Sequence, residues 1–298
     1  MSERASDSAA LVRPIPSLYW RQRVFLLHLE RIIAQTRADV ALRRERVSAA
    51  ELEKRAAEHT PRGFARALRE ASTHGPAIIA ELKKASPSKG LIRADFDPQT
   101  LAVDLERGGA TALSVLTDEP FFQGSLQNLE IASAATRIPC LRKDFIVDEY
   151  QLVEARAHRA DAILLIAAGL RYGYLHYFTM MAQGRYGLDV LCEVHTAEEI
   201  ELVRDIGCDA YGVNNRDLKT FDVRLETSLE LADQLPPDAL RVVESGIHTA
   251  ADIQKLRSAG FHAFLIGESL MRQSRPGAAL EELLRSVESN TPEPAQQA

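Results

Sequence analysis

Residues Ala77-Ile78-Ile79-Ala80-Glu81-Leu82-Lys83-Lys84-Ala85-Ser86-Pro87-Ser88-Lys89-Gly90 decide how the chain is read. From Ala77 to Leu82 every side chain is apolar except Glu81. The run is too short for a helix and has the near-continuous hydrophobicity of a parallel strand covered on both faces. Successive side chains along a strand alternate, so Glu81 and Lys83 share one face and Leu82 takes the other. At the end of an apolar strand the two are either a structural ion pair or a pair whose coupled titration suits acid–base work. The strand is not followed by the G-x-G-x-x-G turn of an open, doubly wound sheet.

Working outward, similar short apolar runs recur at 111–116, 139–141, 162–166, 190–194, 210–213, 241–244 and 263–266. Between them lie amphipathic stretches with helix-start signals. Asp148 with Gln151 and Thr196 with Glu199 have capping-box spacing, and Thr249 with Asp252 is a looser version. Gly108-Gly109, Gly207 and Gly260 sit where helices end before the next strand. Strand followed by helix, eight times over, predicts an α/β fold that is a single (β/α)8 (TIM) barrel over 77–288. Upstream, 24–76 reads as an N-terminal helical extension packed on the barrel. One helix covers 24–46, the Ser48-Ala49-Ala50-Glu51 box opens a second, and Pro61 opens a third. Residues 1–23 are expected to be a flexible N-terminus and 289–298, with Pro292 and Pro294, a disordered tail. The sequence ends just past the eighth unit, so a second, fused barrel is not expected.

Composition narrows the function classes. The 298 residues carry 36 Lys and Arg against 42 Asp and Glu, a net charge of −6, with the basic residues dispersed among acids. A nucleic-acid binder would show a basic stripe instead. No signal-peptide core or membrane-length apolar run occurs, so neither a membrane nor secretion is expected. Cys140, Cys192 and Cys208 are too few and scattered for a disulfide framework and read as reduced thiols, which fits the cytoplasm. No Cys or His spacing suggests a metal, and no obligate protein partner is evident.

In such barrels the chemistry sits at the C-terminal ends of the strands, and six of the eight runs end in candidate residues. The third continues into Leu141-Arg142-Lys143-Asp144-Phe145, where alternation puts Lys143 and Phe145 on one face and Arg142 and Asp144 on the other. A lysine at the mouth can act as a general acid toward a carbonyl oxygen or bind an anion. Phe145 offers an apolar wall, while Arg142 and Asp144 read as structural partners. The fifth run ends Leu191-Cys192-Glu193-Val194-His195; Glu193 is a candidate base, and His195, next to the expected cap Thr196, reads as a loop residue. Asn214 and Arg216 offer an amide for hydroxyls and a fork for an oxyanion. Glu244-Ser245-Gly246 and Gly267-Glu268-Ser269 end the seventh and eighth runs, where glycines let backbone N–H groups approach a phosphate. The pattern points to a small phosphorylated substrate.

Taken in order, these segments resemble the indole-3-glycerol-phosphate synthase family over roughly residues 24–288. The strand-one segment carries the likeness together with Leu113-Ser114-Val115-Leu116-Thr117-Asp118, Phe122-Gln123-Gly124-Ser125, Leu141-Arg142-Lys143-Asp144-Phe145-Ile146, Asn214-Asn215-Arg216-Asp217-Leu218 and Glu244-Ser245-Gly246-Ile247. The resemblance implies closure of 1-(2-carboxyphenylamino)-1-deoxyribulose 5-phosphate to indole-3-glycerol phosphate with loss of CO2 and water, without metal or organic cofactor. It implies Lys143 as general acid and Glu193 as base or stabiliser of positive charge. Glu81 and Lys83 would assist dehydration and hold the carboxylate with Ser86 and Arg216. Asn214 and Glu244 would meet the chain hydroxyls, and Phe122 and Phe145 would wall the ring. Ser245, Gly246, Gly267 and the backbone of Glu268 would hold phosphate. Two rivals remain: another phosphate-binding barrel such as phosphoribosylanthranilate isomerase, and a non-catalytic binding barrel. The first typically carries Cys or Asp where this chain has Glu81-x-Lys83. The second has no use for lysines and carboxylates buried at strand ends.

Overall fold

A computed structural model describes residues 17–217 and 220–289, with side chains from Leu29 onward. The flexible N-terminus and disordered tail read from the sequence lie largely outside those residues, as do the Trp20 side chain and Leu218. Eight parallel strands close into a barrel: β1 (Ala77–Leu82), β2 (Ala112–Leu116), β3 (Cys140–Lys143), β4 (Ala162–Ile166), β5 (Asp189–Val194), β6 (Ala210–Asn214), β7 (Arg241–Glu244) and β8 (Ala263–Ile266). Each pairs with its sequence neighbour, and β1 closes on β8 through Ala77↔Ala263 to Ala80↔Ile266. The (β/α)8 expectation holds. The largest offset is at β3, expected at 139–141. Pro139 has no N–H to give a ladder, and its carbonyl instead accepts from Leu113 (2.9 Å), while Arg142 and Lys143 extend the pairing opposite Val115 and Leu116.

Strand alternation divides the apolar residues into two layers. Ile78, Ala80, Leu82, Leu113 and Val115 face outward against the helices. Ala77, Ile79, Leu141, Leu164, Leu191, Val242 and Leu265 fill the interior. The floor of the barrel is supplied from upstream. Helix Phe64–Ser72 sends Phe64, Ala65 and Leu68 into the interior set, with Phe64 and Leu68 fully buried. Burying each of those two large side chains contributes roughly 1.5–3 kcal/mol.

This third helix opens at Phe64 and not at Pro61 as read from the sequence. Arg62 is held extended against Asp161, the residue before β4, by its backbone N–H (2.7 Å) and its guanidinium (3.0 Å). Gly63 then turns the chain at φ +80°, and Asp189 of β5 caps the new helix by accepting the Ala65 N–H (2.8 Å). Helices Ser17–Arg46 and Ala49–Ala56 precede it, and Val40, Leu52 and Ala56 join the outer apolar layer. Among the four capping boxes read from the sequence, the looser Thr249–Asp252 pair is the complete one. Glu199 spends its carboxylate on the His195 N–H (2.7 Å) instead of on Thr196. Cys140 and Cys192 are buried, Cys208 is half-buried, and all three are free thiols. Among the described residues no helix is long and apolar enough to cross a membrane.

Asp161 ties the upstream segment to the barrel: besides Arg62 it accepts the Cys140 N–H (2.6 Å) and meets His59 Nε2 (3.2 Å), with no solvent exposure of its side chain. Asp161→Ala leaves those donors unpaired and is expected to cost about 3–5 kcal/mol, read as a lower urea midpoint at unchanged slope. A midpoint at the wild-type value would contradict this.

Candidate active site

The interior side chains change character toward the C-terminal ends of the strands. Below, they are Ala77, Ile79, Leu141, Leu191 and Val242. Above, the same faces carry Glu81 and then Lys83, Lys143 and then Phe145, Glu193, Asn214 and Glu244. These line a cavity of about 510 Å3, and all fourteen residues selected from the sequence lie on its wall, Ser86, Phe122, Arg216, Ser245, Gly246, Gly267 and Glu268 among them. Leu29 and Ile32 of helix Ser17–Arg46 also reach it, a contribution the sequence pattern gave no reason to expect.

At the centre, Lys143 Nζ lies 2.7 Å from Glu193 Oε2 and 2.9 Å from Glu244 Oε2. Both carboxylates are about 98% or more buried. Burial alone would discharge Lys143, but Glu193, Glu244 and Glu81 outweigh it and raise its pKa. Burial likewise opposes charge on Glu193, yet Lys143 and His195 overcome it and hold that carboxylate well below its usual range. Glu244 is different: burial, with Glu193 nearby, pushes it up to about 7 against the pull of Lys143. Its Oε1 has no hydrogen-bond partner. Gly212 makes room for it, because a Cβ there would collide with that oxygen. Asn214 donates from Nδ2 to Glu193 Oε1 (3.1 Å) and accepts the Arg216 N–H on Oδ1 (3.0 Å), so its amide first orders the protein's own groups.

Glu81 and Lys83 form the side-by-side ion pair that alternation predicts. Glu81 packs where Gly267 has no side chain; a Cβ on Gly267 would stand 2.9 Å from the Glu81 Cβ and closer still to its carboxylate. Ser86 Oγ is buried and unpartnered. Phe122 and Phe145 stand with ring centroids 6.4 Å apart at 39°. On the far side, Ser245 (φ +66°) and Gly246 (φ +82°) adopt successive left-handed conformations, and strain at a non-glycine residue of this kind is typical of ligand clamps. Arg216 donates to the Phe221 carbonyl (3.2 Å), and Glu268 turns its carboxylate onto Arg272 (2.9 Å).

Arg142 and Asp144 are structural, as read. Arg142 is fully buried and binds Asp144 (2.8 Å) and Glu154 (2.9 Å), and Asp144 accepts the Phe145 N–H (2.8 Å). His195 lies in the loop after β5, as read, but its half-buried side chain turns back beside Glu193, with Nε2 3.2 Å from Glu193 Oε1 and Nδ1 3.1 Å from Glu199 Oε2. The two-residue alternation that joined Glu81 to Lys83 would have placed it there.

A closed parallel barrel with two lysines and three carboxylates converging at the strand ends is a (β/α)8 enzyme. The sequence model of indole-3-glycerol phosphate synthase matches residues 29–283. A protein of Koribacter versatilis (strain Ellin345) called indole-3-glycerol phosphate synthase is 60% identical over 256 residues, spanning 86% of this chain and 98% of that one. The chain belongs to the indole-3-glycerol phosphate synthase family. Among solved structures, a thiamine phosphate pyrophosphorylase from Pyrococcus furiosus (16% identity, TM-score 0.54, 74% of this chain and 98% of that one) is similar in fold. So is a 3-hexulose-6-phosphate synthase from Salmonella typhimurium (10%, TM-score 0.58, 72% and 100%).

Lys143→Met would leave Glu193 and Glu244 adjacent without their shared cation, so one carboxyl must hold a proton. A carboxyl whose folded pKa is raised contributes stability at low pH that is lost as pH climbs through that pKa. The melting-temperature deficit of the variant against wild type is therefore expected to be larger at about pH 8.5 than at about pH 5.5. Equal deficits would contradict the shared-cation arrangement.

Proposed function

We propose that this cavity closes the indole ring of 1-(2-carboxyphenylamino)-1-deoxy-D-ribulose 5-phosphate, releasing CO2 and water and giving indole-3-glycerol phosphate, which makes the chain a carboxy-lyase of tryptophan biosynthesis. The observation that carries this reading is the Lys143 ammonium held between Glu193 and Glu244 at the base of a cavity walled by Phe122 and Phe145. The ring carbon bearing the carboxylate attacks the ketone carbon, and the carbonyl oxygen takes a proton from Lys143. With its pKa raised by Glu193, Glu244 and Glu81 against the pull of burial, Lys143 enters each turnover charged, and the alkoxide formed is a stronger base than the amine left behind. Glu193, held ionised, stabilises the positive charge that spreads over the ring and nitrogen. The C–CO2 bond then breaks and returns its electrons to the ring; an apolar slot favours neutral CO2 over the carboxylate it came from.

Dehydration follows. The new hydroxyl leaves as water with a proton from an ammonium, and the neighbouring C–H proton passes to a carboxylate. The Glu81–Lys83 pair offers both groups. Ser86, with its unpartnered hydroxyl, and Arg216 suit the substrate carboxylate before it departs. Asn214 and the free Oε1 of Glu244 suit the chain hydroxyls, and the backbone of Ser245, Gly246, Gly267 and Glu268 suits the phosphate. We further read 24–76 as an extension of the barrel's own domain. The enzyme is taken to act in the cytoplasm on a free small molecule, with no metal, organic cofactor or obligate protein partner.

Purified protein mixed with the carboxyphenylamino-deoxyribulose phosphate and excess chelator should develop indole fluorescence. No product at micromolar enzyme would sink the reading. Lys143→Met, assayed at a mildly acidic pH where it stays folded, should lose on the order of 10²–10⁴ in kcat; retention of wild-type turnover would remove Lys143 from the acid's role.

A further inference from the structure

The strongest unassigned group near the cavity is His195. It does not line the cavity. It stands behind Glu193, one residue past the end of β5 and two past Glu193, and its side chain is 9% exposed. Both ring nitrogens face carboxylates: Nδ1 is hydrogen-bonded to Glu199 Oε2 at 3.1 Å, and Nε2 is 3.2 Å from Glu193 Oε1, off-line for a hydrogen bond but within ion-pair range. Glu199 is itself fixed, because the same Oε2 accepts the His195 backbone N–H at 2.7 Å and its own N–H sits on the Thr196 cap. An imidazole with an anion at each nitrogen can satisfy both only by carrying two protons.

We propose that His195 is a positioning residue for ring closure: an imidazolium clamped by Glu199 that braces Glu193 from behind and fixes which oxygen it turns to Lys143. Glu193 then has a defined environment on each side. Oε2 takes Lys143, while Oε1 takes the Asn214 amide and the His195 cation. The brace matters because Lys143 must give its proton to the substrate. At that moment Glu193 loses the charge of its nearest cation, and His195 keeps it ionised and in place while positive charge develops on the ring. The charged groups facing His195 are Glu193 on the preceding strand β5 and Glu199 on helix Ala197–Val203, with Lys143 and Glu244 beyond Glu193. Burial alone would neutralise the ring, but Glu193 and Glu199 outweigh it and raise His195 to about 10, so it is charged throughout the neutral range and loses its charge only in alkali.

The inference rests on Glu193 serving the proposed reaction, and the test separates the two. In wild-type protein labelled at histidine, the His195 ring nitrogens should show imidazolium 15N shifts at about pH 8, where an ordinary histidine is neutral. A neutral ring overturns the proposal whatever the activity. His195→Gln should lower kcat roughly tenfold to a hundredfold with KM changed less than about threefold, as expected for a misplaced group that does not touch substrate. The acid limb of its kcat profile should move up by roughly one unit or more, because Glu193 has lost a cation. His195→Arg, which restores the charge, should bring that limb back. Glu199→Gln, outside the cavity, should produce a smaller shift in the same direction and serves if the His195 variants do not fold. A wild-type pH profile in His195→Gln or, failing that, in Glu199→Gln means the residue is merely structural. An inactive wild-type enzyme defeats the functional reading instead, and leaves the 15N measurement to decide the clamp.

Discussion

The ammonium of Lys143, buried between Glu193 and Glu244, is the interaction on which the rest of the site depends. Taking three charges out of water costs several kcal/mol per ion, and their mutual attraction offsets this only when the geometry is tight and the remaining polar atoms are satisfied. The barrel supplies that geometry by putting the three groups on β3, β5 and β7, whose interior faces converge at the same height. Neighbouring positions are then constrained. Gly212 lacks a side chain because Glu244 fills the space, and Gly267 lacks one because Glu81 does. Asn214 and His195 take up the other oxygen of Glu193. Glu244 Oε1 and Ser86 Oγ stay without a hydrogen-bond partner, and both belong to residues that line the cavity.

A second buried charge network holds this one from outside. Arg43 on helix Ser17–Arg46 pairs with Glu154 (2.8 Å), Glu154 with Arg142 (2.9 Å), and Arg142 with Asp144 (2.8 Å). Asp144 in turn accepts the Thr117 hydroxyl (2.7 Å) and the Phe145 N–H. Arg142 and Lys143 are adjacent in sequence and face opposite sides of one strand, so the outward network fixes the strand whose inward face carries the central ammonium. The same upstream helix contributes Leu29 and Ile32 to the cavity wall. Residues before the barrel thus bear on the site both by contact and through β3.

Much of this was legible in the sequence because strand chemistry is local. Apolar runs bounded by glycine and capping signals placed β1, β4, β7 and β8 residue for residue, and period-two alternation placed Glu81 with Lys83 and Lys143 with Phe145. The failures are equally physical. The third upstream helix opens at Phe64 because Asp161 and Asp189, about a hundred residues or more away, capture Arg62 and Ala65; such tertiary pull overrides a local start signal at Pro61. His195 occupies the loop before the Thr196 cap, as the sequence suggests, but its contact with Glu193 follows from alternation, because the strand's facing persists one residue past Val194. The pairing of Asn214 with Glu193, and the reach of Leu29 and Ile32 into the cavity, depend on three-dimensional register that no local pattern encodes.

The central claim is that two buried carboxylates hold Lys143 as an ammonium. The 13Cε resonance of Lys143 in lysine-labelled protein, assigned by its loss in Lys143→Met and followed as pH rises, reads that charge directly. It should stay at the ammonium position past pH 10.5, the ordinary value for a lysine. A resonance that titrates at or below that value would show that Lys143 is not held by the pair, and would contradict the account.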